Sequence, residues 1–196
     1  MNKTLQNLWK TCQSEGVKSS SDMGTPPRDK NQMPGYMVVW FYVTAVICTI
    51  DASFIVFRPR TLPGGDLSKF FSFYQYYIYT DQRYNDVGDS YVFTQSLMNY
   101  VEVVLNIITL ICHYRKMKDT RLLAFTVSVM TFWKTVLYIL MFYELAGGKD
   151  YRVGNSLVEE IFIVLFPNGV WIVLPLICMV DLWRGFLKTE TKTKLR

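Results

Sequence analysis

Histidine occurs once among the 196 residues, at His113, and the four cysteines, Cys12, Cys48, Cys112 and Cys178, stand far apart without CxxC or other metal-ligand spacing. These scarcities argue against a zinc site, a His cluster or a disulfide framework, so no metal and no cofactor is expected, and the cysteines read as small apolar residues. A glycine-rich phosphate loop is missing, as is a basic helix interleaved with base-stacking aromatics, so nothing points to nucleotide or nucleic acid. Charge is scarce as well, at 19% of residues against 51% apolar. That balance excludes a disordered chain. The charges crowd into the ends and loops and leave four long stretches almost free of them, which is the pattern of a membrane protein.

The four stretches run from about Gly35 to Phe57, Ser90 to Cys112, Leu122 to Tyr143 and Ile161 to Val180. About twenty residues at a rise of 1.5 Å cover a hydrocarbon core of about 30 Å, so each predicts a membrane-spanning helix. The fold class is therefore all-α, a polytopic four-helix bundle. Pro167 and Pro175 fall in the last span, where neighbouring groups can satisfy the freed backbone. Residues 1–34 are polar, lack the apolar core of a signal peptide, and read as a flexible tail whose Leu5, Leu8 and Trp9 could touch a membrane surface. Residues 35–186 form the membrane domain, and 187–196 a basic tail.

Lys and Arg outside the spans number fourteen on the side that holds both termini and the short loop between spans two and three, against six on the other side. The positive-inside rule then makes both termini cytosolic. Asn2-Lys-Thr, a formal glycosylation match, would go unused there. Lys192 and Lys194 stand close to the cytosolic end, as in a dilysine retrieval signal to the endoplasmic reticulum, although a solvated basic tail near anionic lipid has the same composition.

Between the first two spans, Leu67 to Tyr79 holds seven aromatics, which predicts an interfacial helix lying as a lid with wet tyrosine hydroxyls. Pro63-Gly64-Gly65 makes a turn before it, and Asp81, Asp86 and Asp89 follow. Ser156 and Glu159 have capping-box spacing ahead of the fourth span.

Polar residues inside the spans carry the functional signal. Gln95, Asn99, Glu102, Asn106 and Thr109 are spaced by four, three, four and three, so they stack on one helical face. In lipid that face must turn to another helix or to a wet cavity. The third span answers with Thr131, Lys134 and Tyr138, the first with Thr44, Cys48 and Asp51, and the fourth with Asn168, Trp171 and Cys178. A charge at mid-membrane costs about 2.5–3.5 kcal/mol on insertion scales, so Asp51, Glu102 and Lys134 demand an account. One account is structural, with Lys134 neutralising Glu102 and amides holding the helices together. The other is an acid-lined pocket for a lipid-like or cationic-amine guest, or for proton movement. Small residues such as Ser128 permit a homodimer without requiring one.

Three stretches resemble the emopamil-binding protein family, the EXPERA-domain proteins that include sterol Δ8–Δ7 isomerases and the sigma-2 receptor. Asn168-Gly-Val-Trp171-Ile-Val-Leu-Pro175 looks like the family's last-helix signature. Asp81-Gln-Arg83-Tyr84 with Gly88-Asp89 is similar to the approach to its following helix, and Asp51 matches a carboxylate late in its first span. The likeness covers about residues 36–186. It implies a sterol or terpenoid double-bond isomerase working in the membrane through a carbocation, or, as the alternative, a non-catalytic sterol- or lipid-binding protein. By resemblance Asp51 is the first-helix acid, Asn168 orients a polar group and Trp171 supplies an aromatic face. Together with the stripes this gives Asp51 and Glu102 as catalytic candidates, and Asn99, Lys134, Tyr138, Asn168 and Trp171 as substrate contacts. The chain departs from the isomerases at Ile47, where they carry a His, and at Ser96, where they carry a second-helix acid.

Overall fold

The computed structural model describes residues 32–145, 147 and 149–194. The reading of the first 31 residues as a tail lies outside them, as do the side chains of the basic C-terminus. Helix α1 spans Gly35–Val56 and starts directly after Pro34, whose carbonyl accepts from the Met37 and Val38 amides at 3.0 and 3.2 Å. After a long loop containing the short helix α2, Gln75–Thr80, comes α3, Ser90–Tyr114. Its N-cap is Asp89, whose Oδ1 accepts from the Val92 amide at 2.8 Å. Helix α4 spans Thr120–Phe142. A single turn, α5 at Leu157–Glu159, carries the expected Ser156–Glu159 capping box. It passes through a π-helical segment, Glu160–Leu165, into α6, Phe166–Lys194. Pro167 has no N–H to continue the ladder, and the Asn168 side chain donates from Nδ2 to the Val164 carbonyl at 2.9 Å. The last helix thus runs on beyond residue 186, while its apolar spanning stretch ends at Leu187.

Four helical stretches, Gly35–Val56, Ser90–Tyr114, Thr120–Phe142 and Leu157–Leu187, are long and apolar enough to cross a membrane. Helix α1 packs chiefly on α3 and α4 chiefly on α6, with α3 and α4 in contact between them. Their outer faces are apolar: Val46 is 59% exposed, Trp133 62% and Phe162 68%. Their inner faces carry Thr44, Ser96, Asn106, Thr109, Thr131 and Thr135, all buried. Apolar outside and polar inside is stable against lipid and unfavourable against water. The chain is a multi-pass, four-helix membrane protein.

Two apolar cores close the bundle. One joins Met37, Trp40 and Phe41 of α1 to Leu110, Ala124, Val127, Cys178 and Leu182. The other joins Phe54 and Ile55 to Ile78, Tyr84, Val92 and Tyr138. The polar residues of the spans lie between them along each helix. Ser128 is 2% exposed and donates to the Ala124 carbonyl, so it belongs to the bundle's interior and offers no outer face for a dimer.

The loop after α1 corrects one expectation. Regular helix begins at Ser72, with a 3-10 turn at Ser72–Tyr74, and not at Leu67. The preceding backbone is committed elsewhere: the Leu67 amide donates to the Arg60 carbonyl at 2.9 Å and the Ser68 hydroxyl to the Gly65 carbonyl at 2.7 Å. Gly65 is required there, because a Cβ would meet the Arg60 carbonyl oxygen at 2.2 Å. Arg58 Nη1 donates to the carbonyls of Arg83, Tyr84 and Asp86 at 3.2, 3.0 and 2.8 Å and draws the loop's two ends together. From the other side, Gln82 Nε2 donates to the Val153 carbonyl at 2.8 Å and Asn155 Nδ2 to the Thr80 carbonyl at 2.7 Å.

Candidate functional site

A cavity of about 310 Å3 lies within this arrangement. Helix α1 contributes Ile47, Cys48 and Asp51, and α3 contributes Val92, Gln95, Ser96 and Asn99. Lys134, Thr135 and Tyr138 come from α4, and Pro167, Asn168 and Trp171 from α6. The aromatic loop supplies Phe73, Tyr74, Tyr77 and Tyr84. Six of the seven residues singled out by sequence therefore line this one cavity. Glu102, the seventh, is fully buried beyond it, and reaches the site through Lys134.

Polar contacts join the wall into one network. Asp51 accepts from Tyr74 Oη at 2.9 Å, from Tyr84 Oη at 3.0 Å and from Asn99 Nδ2 at 3.0 Å. Asn99 Oδ1 accepts from Lys134 Nζ, which also pairs with Glu102 Oε2 at 2.5 Å. Cys48 Sγ points to the other Glu102 oxygen at 3.8 Å. The 3.6-residue period places Asn99 one turn before Glu102, so one Lys side chain can bond both. Beside the cavity two carboxyl groups, Asp51 and Glu102, face one basic side chain, Lys134, which is a surplus of acid. An apolar guest with a cationic centre would offset it.

The aromatics are held firmly. Tyr74 stacks on Phe54 with ring centroids 4.2 Å apart, and Trp171 meets Trp40 edge-on at 5.3 Å. The tyrosine hydroxyls divide, which corrects the expectation that all are wet. Tyr76 and Tyr79 face outward, 79% and 72% exposed, whereas Tyr74, Tyr77 and Tyr84 turn into the cavity. Burial raises the phenol pKa of all three, and nearby Asp51 raises it further. Ile47 and Phe73, both well exposed on the apolar outer face, stand at the rim, so the cavity opens beside lipid-facing surface.

Behind the cavity lies a second acid that the sequence marked only as a loop residue. Asp81 is fully buried, and Tyr138 donates its hydroxyl to Asp81 Oδ2. Burial pushes the carboxyl up to about 6, while the Tyr138 hydrogen bond and the Arg83 charge act in the opposite direction. Arg83 itself pairs with Asp89 at 2.8 Å and lies over the Tyr151 ring at 4.3 Å. The only signal for this in the sequence is the Asp81-Gln-Arg83-Tyr84 stretch. His113 accepts from the Met33 amide at 3.2 Å at the far end of α3 and takes no part in the cavity.

Fold and site together define a class: a multi-pass membrane protein whose four helices and one aromatic loop enclose a charged, aromatic-walled cavity. No family model, no curated protein and no solved structure matches the chain.

Proposed function

We propose that this protein is a sterol- or terpenoid-directed double-bond isomerase of the membrane, akin to the emopamil-binding protein family. The observation that carries the reading is Asp51, a carboxylate held by three donors at the wall of an aromatic cavity that opens beside lipid-facing surface. Double-bond migration adds a proton to one alkene carbon and removes one from a neighbour. Its intermediate is a carbocation, which a fixed negative charge and the face of Trp171 stabilise without reorganisation. Asn99, itself held by Lys134, keeps Asp51 in place, Asn168 lines the cavity from α6, and Glu102 pairs with Lys134.

A second reading, binding without turnover as in the sigma-2 receptor, draws support from two wall positions. Ile47 and Ser96 both line the cavity, and neither can carry the proton that a His or a carboxylate would. In that case Asp51 is the counter-ion of a hydrophobic amine. Both readings put the chain in the endoplasmic reticulum with cytosolic termini, on the strength of the positive-charge balance and the lysines near the C-terminus.

The test is conversion of a Δ8-sterol by membranes from cells that lack their own isomerase and express the full chain. Product is expected. Saturable sterol or amine binding without product would select the second reading.

A further inference from the structure

The isomerase reading needs a proton donor facing the substrate, and the donor cannot be Asp51, whose carboxylate already accepts from Tyr74, Tyr84 and Asn99. Glu102 is tied to Lys134 beyond the wall. Tyr138 has its ring in the cavity wall and its hydroxyl on Asp81. The other Asp81 oxygen, Oδ1, is buried and has no side-chain partner among the described residues, although the Arg83 backbone N–H also acts on this carboxyl. A fully buried carboxyl that is short of hydrogen-bond partners calls for an explanation, and a catalytic role is one.

We infer that Tyr138 is the catalytic acid of the cavity and that Asp81 is the positioning carboxyl that resupplies its proton, while Asp51 receives the proton the substrate gives up. This rests on the isomerase reading and assigns its acid to α4 and its base to α1. With Asp81 protonated, its hydrogen bond to Tyr138 reverses, and the phenol O–H points to the guest. The alkene π pair takes the phenol proton to form a C–H bond, and the phenolate takes the Asp81 proton in the same step. The neighbouring C–H then gives its proton to Asp51, and its electron pair becomes the new double bond. Asp51 loses that proton to water and Asp81 regains one, so the cycle is redox-neutral and one solvent hydrogen enters the product. Burial and the Asp51 charge hold the Asp81 proton on, and Arg83 opposes them. The other ionisable groups packed around this corner are Tyr77, Tyr84, Tyr91, Asp89 and Tyr151.

The experiment follows Δ8-sterol conversion by the full chain in liposomes from about pH 5 to 8, for wild type, Tyr138→Phe and Asp81→Asn. General-acid loss costs about 10²–10⁴-fold, and both variants should fall in that range. Wild-type turnover should decline as pH rises through about 6, the residual turnover of Asp81→Asn should be flat, and its sterol binding should match wild type. Tyr138→Phe leaves a buried carboxyl without its donor and can unfold, so Asp81→Asn carries the decision. Wild-type rate and pH profile in Asp81→Asn would overturn the assignment alone. Joint loss of binding and turnover in Asp81→Asn would make the residue structural and overturn it too. No product from wild type would overturn the isomerase reading and this assignment together.

Discussion

Asn99 donates its amide to Asp51 Oδ2 at 3.0 Å while its carbonyl accepts from Lys134, so one side chain couples the acid of α1 to the charge pair of α3 and α4. The three spans cannot shift relative to one another without breaking a hydrogen bond to a charged group, each worth about 1.5–3 kcal/mol. Asn99→Leu should therefore lower the melting temperature in detergent and also weaken sterol binding, because Asp51 loses one of its three donors.

Replacing Lys134 by Met strands Glu102, which is fully buried. Breaking one side of a buried pair costs about 3–5 kcal/mol, whereas replacing both partners by apolar groups is often neutral. Thermal unfolding should show a large loss for Lys134→Met and recovery in the double variant Glu102→Leu with Lys134→Met. Equal loss in the double variant would mean that the pair's network with Asn99 matters more than its charge balance.

Tyr74→Phe and Tyr84→Phe each remove one donor from Asp51 but keep the rings that stack around Phe54. Their stability cost should be about 1–3 kcal/mol, and Tyr74→Ala, which also empties the stack, should cost about 3–5 kcal/mol. Denaturation in nanodiscs separates the two contributions.

Asp81 gives stability a pH dependence of known direction. An unfolded Asp titrates near 3.9, whereas this one is held up at about 6 by burial. The fold thus favours the protonated form, so stability from this group is full below about pH 4 and is lost as pH rises through about 6, by roughly 3 kcal/mol at most. Asp86 acts in the opposite direction, since its hydrogen bond to Lys149 lowers its carboxyl pKa. Melting curves of Asp81→Asn against wild type from about pH 4 to 8 isolate the Asp81 share: the difference should grow with pH and level off above about 7.

The spans, the inward stripe of α3 and the Glu102–Lys134 pair were legible in the sequence because the penalty for charge in lipid leaves a polar stripe few places to go. The Ser156 capping box was legible because its geometry is local. What lay out of reach depends on how the chain returns to itself. Tyr74 and Tyr84 meet Asp51 across 23 and 33 residues of sequence, and no periodicity inside a loop predicts which hydroxyls turn inward. The π-helical segment is a backbone adjustment ahead of Pro167, and it engages the Asn168 side chain on the Val164 carbonyl. The burial of Asp81 had no signal in the sequence, since the Tyr138 hydroxyl that bonds it is 57 residues away.

The central claim is that the Asp51 carboxylate supplies the working charge of a cavity that opens beside lipid-facing surface. Its most direct test is to compare wild type with Asp51→Asn for Δ8-sterol conversion and saturable sterol binding in the same isomerase-deficient membranes. The account predicts product from wild type and none from Asp51→Asn, with the variant folded and expressed at the wild-type level. Asp51→Asn that converts and binds the sterol as wild type does would contradict it.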